Sequence, residues 1–286
     1  MSRRPSSHPV RLLSCALAAG ALLTTAACSE GSGSGSASDT AAEQAGVAER
    51  NAARQTPSGS PSTSPGASPG TLTESGAQAA LITEADIEED WNQVAGADKW
   101  RDRLLLGKVD VAAFLTAKGA AADCQQLLDG LYRDNLLGRP SGPSALTGFE
   151  QGDSRLLEQV AGYDRAGLDD RLKWMASLPQ TCDEFTATGS GGAKRTVQVT
   201  EASVPDVGDA RQGLHVTVQG DSGGTPVTLT LDVAAVRVDT SALTITAGGL
   251  DGGQSSSVER GVRQGTERLK TVLDGGTPDP QPTNLD

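Results

Sequence analysis

The chain has 286 residues and a formal net charge of −12 at pH 7, with 36 acidic residues against 24 Lys and Arg. Such an acidic surface argues against nucleic acid as a partner and against electrostatic docking on anionic lipid. Aromatic residues are only 3% of the chain, but the 36% that are hydrophobic suffice for one modest core. The length therefore predicts a single folded domain flanked by tails.

The first 27 residues have the pattern of a bacterial lipoprotein signal peptide. Arg3, Arg4 and Arg11 precede an apolar stretch at 12–27, which is shorter than the roughly 20 residues that a bilayer span needs. The stretch ends in LTTAAC, and small residues before a cysteine resemble a lipobox, where a diacylglyceryl group joins the sulfur of Cys28. We therefore predict a lipid anchor at Cys28 on the extracytoplasmic face of the cell membrane. The alternative is a secretory signal with an incidental cysteine.

Residues 28–75 are rich in Ser, Gly, Ala, Pro and Thr, and contain almost nothing that could be buried. They predict a disordered tether with a reach of roughly 40 Å, and 275–286 predict a second disordered tail. The predicted folded domain is therefore 76–274.

The first half of this domain is predicted to be mainly helical. Thr83 and the acids that follow it predict a helix that runs to about Trp91. Apolar residues at helical spacing predict two further helices, at 123–137 and 168–178, the second of which should stop at Pro179.

The second half alternates polar and apolar residues and is predicted to form strands. These are at 196–204, 214–218, 227–238 and 243–246. The segment 144–163 is ambiguous, and a hairpin that turns at Gly152-Asp153 is favoured. A closing amphipathic helix is predicted at 255–273. The fold class is α+β, an antiparallel sheet with helices packed on one face.

Four cysteines are present, and two of them remain for the folded domain. Cys15 is removed with the signal peptide and Cys28 is the predicted lipid site. In an exported chain, the even remainder predicts a disulfide between Cys124 and Cys182. The alternative, a metal site with two thiolates, has no supporting histidine or CxxC motif nearby.

Several motifs resemble those of the PknH-like extracellular sensor domains and of actinobacterial lipoproteins that share this domain. They are ALITEADIEEDW, DCQQLLDGL, SRLLEQVAGY, LPQTCDEF, GLHVTVQG and VAAVRVD. The resemblance implies an α+β domain with a groove and a sensing or ligand-binding role, without catalysis. The family often has two disulfides, whereas only Cys124 and Cys182 are available here. With no kinase domain and no membrane-spanning helix in the chain, signalling would require a partner.

The segment 220–224, GDSGG, matches the nucleophile motif of chymotrypsin-like proteases. That chemistry needs a histidine within hydrogen-bond reach of the serine. The single histidine after the signal peptide is His215, which is predicted to lie too far back along the preceding strand. We therefore predict a hairpin loop and no catalytic residues.

No metal or cofactor is predicted. The acids of 84–90 lack the alternation of a calcium loop and are interpreted as a solvated helix start. Trp91, Trp100 and Trp174 could line a ligand pocket, although a place in the core is favoured.

These observations lead to two hypotheses for function. The first is a lipid-anchored, non-catalytic domain that binds a small ligand or an envelope protein in a concave face between sheet and helices. The alternative is a structural or envelope-assembly lipoprotein that binds protein or cell-wall polymer over a broad surface. An unrecognised hydrolase would require two clustered carboxylates with raised pKa values.

Overall fold

The computed structural model describes residues 70–87, 90–97, 105–106, 109–110, 118–119, 121–250 and 252–280. Cys28 and Trp100 lie outside these ranges, so the predicted lipid site and one of the three tryptophans are not placed. None of the described helices is long and apolar enough to cross a membrane.

Among the described residues, nine strands form one antiparallel sheet in the order β1-β5-β6-β11-β10-β9-β8-β7-β4. The strands are β1 (Asn92–Gln93), β4 (Lys118–Gly119), β5 (Ser144–Gln151), β6 (Ser154–Gly162), β7 (Glu184–Thr188), β8 (Lys194–Glu201), β9 (Ala210–Ser222), β10 (Thr225–Val238) and β11 (Ser241–Gly249). The short strands β2 (Leu105–Leu106) and β3 (Val109–Asp110) form a separate pair. The favoured hairpin is confirmed, because β5 and β6 turn at Gly152-Asp153.

Four α-helices of the described residues pack against this sheet: α1 (Glu74–Ala80), α2 (Ala122–Arg133), α3 (Arg165–Thr181) and α4 (Ser255–Leu273). The predicted class, α+β with an antiparallel sheet and one disulfide, is confirmed. The helices, however, occupy both faces of the sheet, whereas one face was predicted. Residues of α2 and α3 form one apolar cluster with strand residues that point to one face of the sheet. Residues of α1 and α4 form a second cluster with strand residues that point to the opposite face.

Strand β10 shows why both faces are covered. Leu231 and Val233 pack in the cluster of α2 and α3, whereas Ala234 and Val236 pack in the cluster of α1 and α4. Successive strand residues point to opposite faces, so the apolar run 233–236 needs a cover on each side. The alternation of apolar residues with Thr and Asp at 227–232 predicted that only one face of the strand is packed. This alternation ends just before the apolar run, so it did not reveal the second packed face.

Three predicted helices differ from the structure. The helix expected from Thr83 is only a 3₁₀ turn, Glu84–Asp86, because the Asp86 carboxylate bonds back to the Thr83 N–H at 2.7 Å and Ile87 is already extended.

The helix expected at 123–137 ends at Arg133 as α2, because Asp134 takes a left-handed conformation with φ of 50°. Helix α3 continues through Pro179 to Thr181, although proline lacks the N–H that would donate to the carbonyl four residues earlier.

The packed chain extends beyond 76–274 at both ends. At the start, Leu72 is buried and the Gly70 N–H donates to the Leu273 carbonyl at 2.8 Å. At the end, Pro278 is buried, and Arg268 Nη1 donates to the Asp279 carbonyl at 2.9 Å. The last residues of the predicted tether and residues of the predicted C-terminal tail therefore contribute to the fold.

Candidate functional site

A disulfide joins the two helices that pack on one face of the sheet. Cys124 lies in the first turn of α2 and Cys182 caps the end of α3, and both are buried. The predicted pairing is confirmed. It fixes the start of α2 against the end of α3, so the surface between these helices is held in one geometry.

An open groove lies beside this surface, with a volume of about 450 Å³. It is lined by one side of α2, by the loop that follows α2, and by Arg171 of α3. We call it the arginine groove, after its residues Arg133, Arg139 and Arg171. Polar side chains of α2 and the loop complete the lining: Gln125, Gln126, Asp129 and Asn135.

Among the residues that the structure describes, Arg133, Arg139 and Arg171 have no ion-pair partner. Arg171 is half-buried and lies over the Trp174 ring at 5.6 Å from its centroid, a cation–π contact that orients the guanidinium. Asp129 is the single acidic residue in the described part of the lining, and its carboxylate accepts a hydrogen bond from Gln125 Nε2 at 2.8 Å. The groove is thus positively charged within an acidic protein.

The loop after α2 is held by its own backbone. Asp134 ends the helix in a left-handed conformation, with φ of 50°, and the Asn135 N–H bonds back to the Gly130 carbonyl at 3.0 Å. Gly138 has φ of 85°, and a side chain there would contact Arg171. Leu136 and Leu137, both buried, anchor the loop in the core. These features fix the position from which Arg139 extends.

Sequence reasoning did not find this groove. A signal was present: Arg133 and Arg139 flank the predicted end of a helix, in a chain with few basic residues. The spacing of residues in the sequence, however, did not indicate that Arg171 would lie beside Arg133 and Arg139.

Trp91 and Trp174, the two tryptophans that the structure describes, do not form a common pocket. Trp91 is buried in the cluster of α1 and α4, where its Nε1 donates to Ser257 Oγ at 3.2 Å. Trp174 packs against the cluster on the opposite face of the sheet. Trp91 therefore belongs to the core, whereas Trp174 lies beside the arginine groove.

The GDSGG motif forms the hairpin between β9 and β10. Ser222 pairs with Thr225, and Gly223 and Gly224 make the turn with positive φ. Ser222 is an odd number of residues from His215 along β9, so their side chains point to opposite faces. The motif therefore does not place a serine beside a histidine. His215 Nδ1 instead meets Asp232 Oδ1 at 2.6 Å, across the β9–β10 pair.

Two carboxylates come together beneath α4, but both are buried. Burial raises the pKa of Glu158 to about 8, against the opposing effects of a hydrogen bond from the Ile82 N–H and of the Arg268 charge. The neighbouring Asp86 caps the 3₁₀ turn and pairs with Arg268 at 3.4 Å. Glu158 is fully buried and Asp86 is 1% exposed, so this arrangement supports the fold.

Of the acidic run at 84–90, the structure places Glu84, Asp86 and Asp90. Glu84 Oε1 accepts a hydrogen bond from the Gln93 N–H at 2.6 Å, and Asp86 has the roles just described. Among the described residues there is no group of three or more His, Cys, Asp or Glu that could hold a metal ion.

No known protein family matches the chain, and no curated protein matches it. Solved structures do match it, among them those of two mycobacterial proteins. The chain is similar to the extracellular domain of PknH from Mycobacterium tuberculosis, at 11% identity and a TM-score of 0.41 over 73% of this chain and 98% of that one. It is also similar to an uncharacterised Rv0999 ortholog from Mycobacterium smegmatis, at 18% identity and a TM-score of 0.36 over 69% and 94%. No ligand or residue role is carried over from either.

Proposed function

We propose that this chain is a non-catalytic binding domain, anchored by a lipid on Cys28 to the extracytoplasmic face of the cell membrane, which binds an anionic ligand or partner in the arginine groove. The observation that carries this proposal is the set of three arginines around a groove of about 450 Å³, none of which has an acidic partner among the described residues. The chain as a whole has a net charge of −12. A local excess of positive charge is therefore not a property of its general surface.

Arginine suits this role because its guanidinium is always charged and presents donors in a planar fork that matches carboxylate and phosphate oxygens. The repulsion between neighbouring guanidinium groups weakens when an anion lies between them. The disulfide between α2 and α3 and the fixed loop keep the groove in shape before the ligand arrives, which reduces the entropy lost on binding.

The test is calorimetric titration of the domain with citrate and with tripolyphosphate, two compact polyanions that differ in their acidic groups. We expect at least one to bind, and Arg139→Ala and Arg171→Ala each to weaken binding about tenfold, the loss of one charge-assisted contact. Binding should also weaken as salt is raised.

Arg263→Ala is the matched control, because Arg263 is exposed on α4 and distant from the groove. Binding that falls equally in all three variants, or no heat with either anion, would contradict the proposal. Trp174 provides a second readout, since an anion at Arg171 should change its fluorescence.

The anchor has its own test. Cys28→Ala should move the protein from the membrane to the soluble exported fraction, because a net charge of −12 disfavours attachment to anionic lipid by charge alone. Cell fractionation followed by immunoblotting measures this, with Cys15→Ala as the control that keeps the acceptor cysteine. Retention of the Cys28→Ala protein in the membrane would show that another element anchors it.

A further inference from the structure

The one carboxylate in the described lining of the arginine groove is held by a chain of hydrogen bonds. Gln125 Oε1 accepts from the Gly119 N–H at 2.7 Å, and Gln125 Nε2 donates to Asp129 Oδ1 at 2.8 Å. Gly119 belongs to β4, at the edge of the sheet. The backbone of the sheet edge therefore orients the Gln125 amide, and that amide orients the Asp129 carboxylate.

Asp129 does not pair with the arginine of its own helix. Arg133 follows Asp129 by four residues in α2, a spacing that favours an ion pair between an acid and a later arginine. The two side chains form no such pair, and Arg133 has no other ion-pair partner among the described residues. The carboxylate and the guanidinium groups thus line one groove as separate binding groups.

The charges of the groove limit what can bind there. Three guanidinium groups less one carboxylate leave a surplus of two positive charges in the described lining. One phosphate group, which carries about −1.5 to −2 at pH 7, balances this surplus. An ionised carboxylate only accepts hydrogen bonds, so a ligand must present a donor to Asp129. The arginines would repel an ammonium group, whereas an alcohol hydroxyl donates without a charge.

The other polar groups of the lining also suit hydroxyls. The side-chain amides of Gln126 and Asn135 each contain a donor and an acceptor, and an alcohol hydroxyl can meet either. The groove volume of about 450 Å³ lies within the range of small-molecule sites, roughly 300–1,000 Å³. The groove therefore has room for a neutral, polar body attached to the phosphate.

We infer that the arginine groove binds a phosphorylated polyol, such as a sugar phosphate, whose phosphate contacts the arginines and whose hydroxyl donates to Asp129. This inference rests on the proposed function and names the ligand class of the same site. A soluble sugar phosphate and the headgroup of a phosphoinositide lipid present the same groups, and vesicle binding distinguishes these two sources.

The test is calorimetric titration of the Cys28→Ala protein, which lacks the proposed lipid acceptor, with two phosphates that differ in their hydroxyls. These are glucose-6-phosphate and cyclohexylmethyl phosphate, which both carry one phosphate beside a six-membered ring. Glucose-6-phosphate should bind about tenfold more tightly, because a hydroxyl can donate to a charged acceptor.

Asp129→Asn keeps the size of the side chain and an oxygen that can accept from Gln125. The preference for glucose-6-phosphate should fall to about twofold in this variant, because an amide is a weaker partner than a carboxylate. Cyclohexylmethyl phosphate should bind at least as tightly as before, since a negative charge has been removed from the groove.

Asp123→Asn is the matched control, because Asp123 is an exposed acid in the first turn of the same helix and does not line the groove. It should keep the tenfold preference. Sedimentation of the Cys28→Ala protein with vesicles that contain phosphatidylinositol phosphate would identify a lipid headgroup as the source. Binding of glucose-6-phosphate without sedimentation would identify a soluble ligand.

The inference is overturned if the two phosphates bind with equal affinity, or if Asp129→Asn and Asp123→Asn change the preference alike. Tripolyphosphate separates this failure from failure of the proposed function, because it has no alcohol hydroxyl. If tripolyphosphate binding depends on Arg139 and Arg171 while the preference is absent, only the ligand class is wrong. If none of these anions binds, the proposed function fails as well.

Discussion

The double variant Cys124→Ala/Cys182→Ala is expected to unfold at a Tm roughly 8–16 °C below that of the wild type. In the chain-entropy model, a loop that closes 58 residues stabilises the folded state by about 4 kcal/mol. For a domain of this size each kcal/mol corresponds to about 2–4 °C. Circular dichroism during heating measures the shift.

Wild-type protein kept in reductant is the control, because it lacks the bond but keeps both sulfurs. It should melt close to the double variant. The variant should also lose anion affinity at temperatures where it is still folded, since the disulfide holds the walls of the arginine groove. An unchanged Tm would mean that α2 and α3 keep their places without the bond.

The second expected result concerns the buried carboxyl under α4. Glu158→Gln should remove a pH dependence of stability that the wild type shows between about pH 4.5 and about pH 8. Burial raises the pKa of Glu158 from 4.5 to about 8, so in this window the folded state keeps a proton that the unfolded state has lost. The contribution of Glu158 to the free energy of unfolding therefore falls as pH rises, and levels off above about pH 8.

The charged neighbours of Glu158 are Arg268 of α4 and Asp86 of the 3₁₀ turn. Glutamine keeps an oxygen to accept the hydrogen bond from the Ile82 N–H. At pH 8 the variant should be more stable than the wild type by on the order of a few kcal/mol, since each pKa unit corresponds to about 1.4 kcal/mol. At pH 4.5 the difference should largely disappear.

Urea unfolding at several pH values measures this difference. Glu201→Gln is the control, because Glu201 is exposed at the end of β8, whereas Glu158 is buried in β6. If the free energy of unfolding changed with pH in the same way in the Glu158→Gln variant and in the wild type, Glu158 would not titrate in this window.

Much of the fold could be predicted because local signals and tertiary packing agree. Helix α4 has the predicted bounds, since its apolar stripe is regular and nothing interrupts it. The turns at Gly152-Asp153 and Gly223-Gly224 follow from residues that accept positive φ. The Pro179 signal failed because a proline in the last turn of a helix does not end it at once.

The candidate sites were harder to predict because they depend on pairing across the chain. Arg171 lies near Arg133 and Arg139 because α2 packs against α3, and no spacing rule encodes that contact. The alternation of 227–232 did reveal a polar strand face. The pairing of this strand with β9 and β11 follows from strand register, which the sequence leaves open.

Arg268 has a consequence for how the domain unfolds. Its guanidinium donates to the carbonyls of Ala79 and Leu81 near the start of the fold, and to that of Asp279 near its end. Because one side chain fastens the first and the last described segments of the fold, neither segment can fray without loosening the other. The amides of these two segments should therefore exchange hydrogen with solvent together, as one cooperative unit.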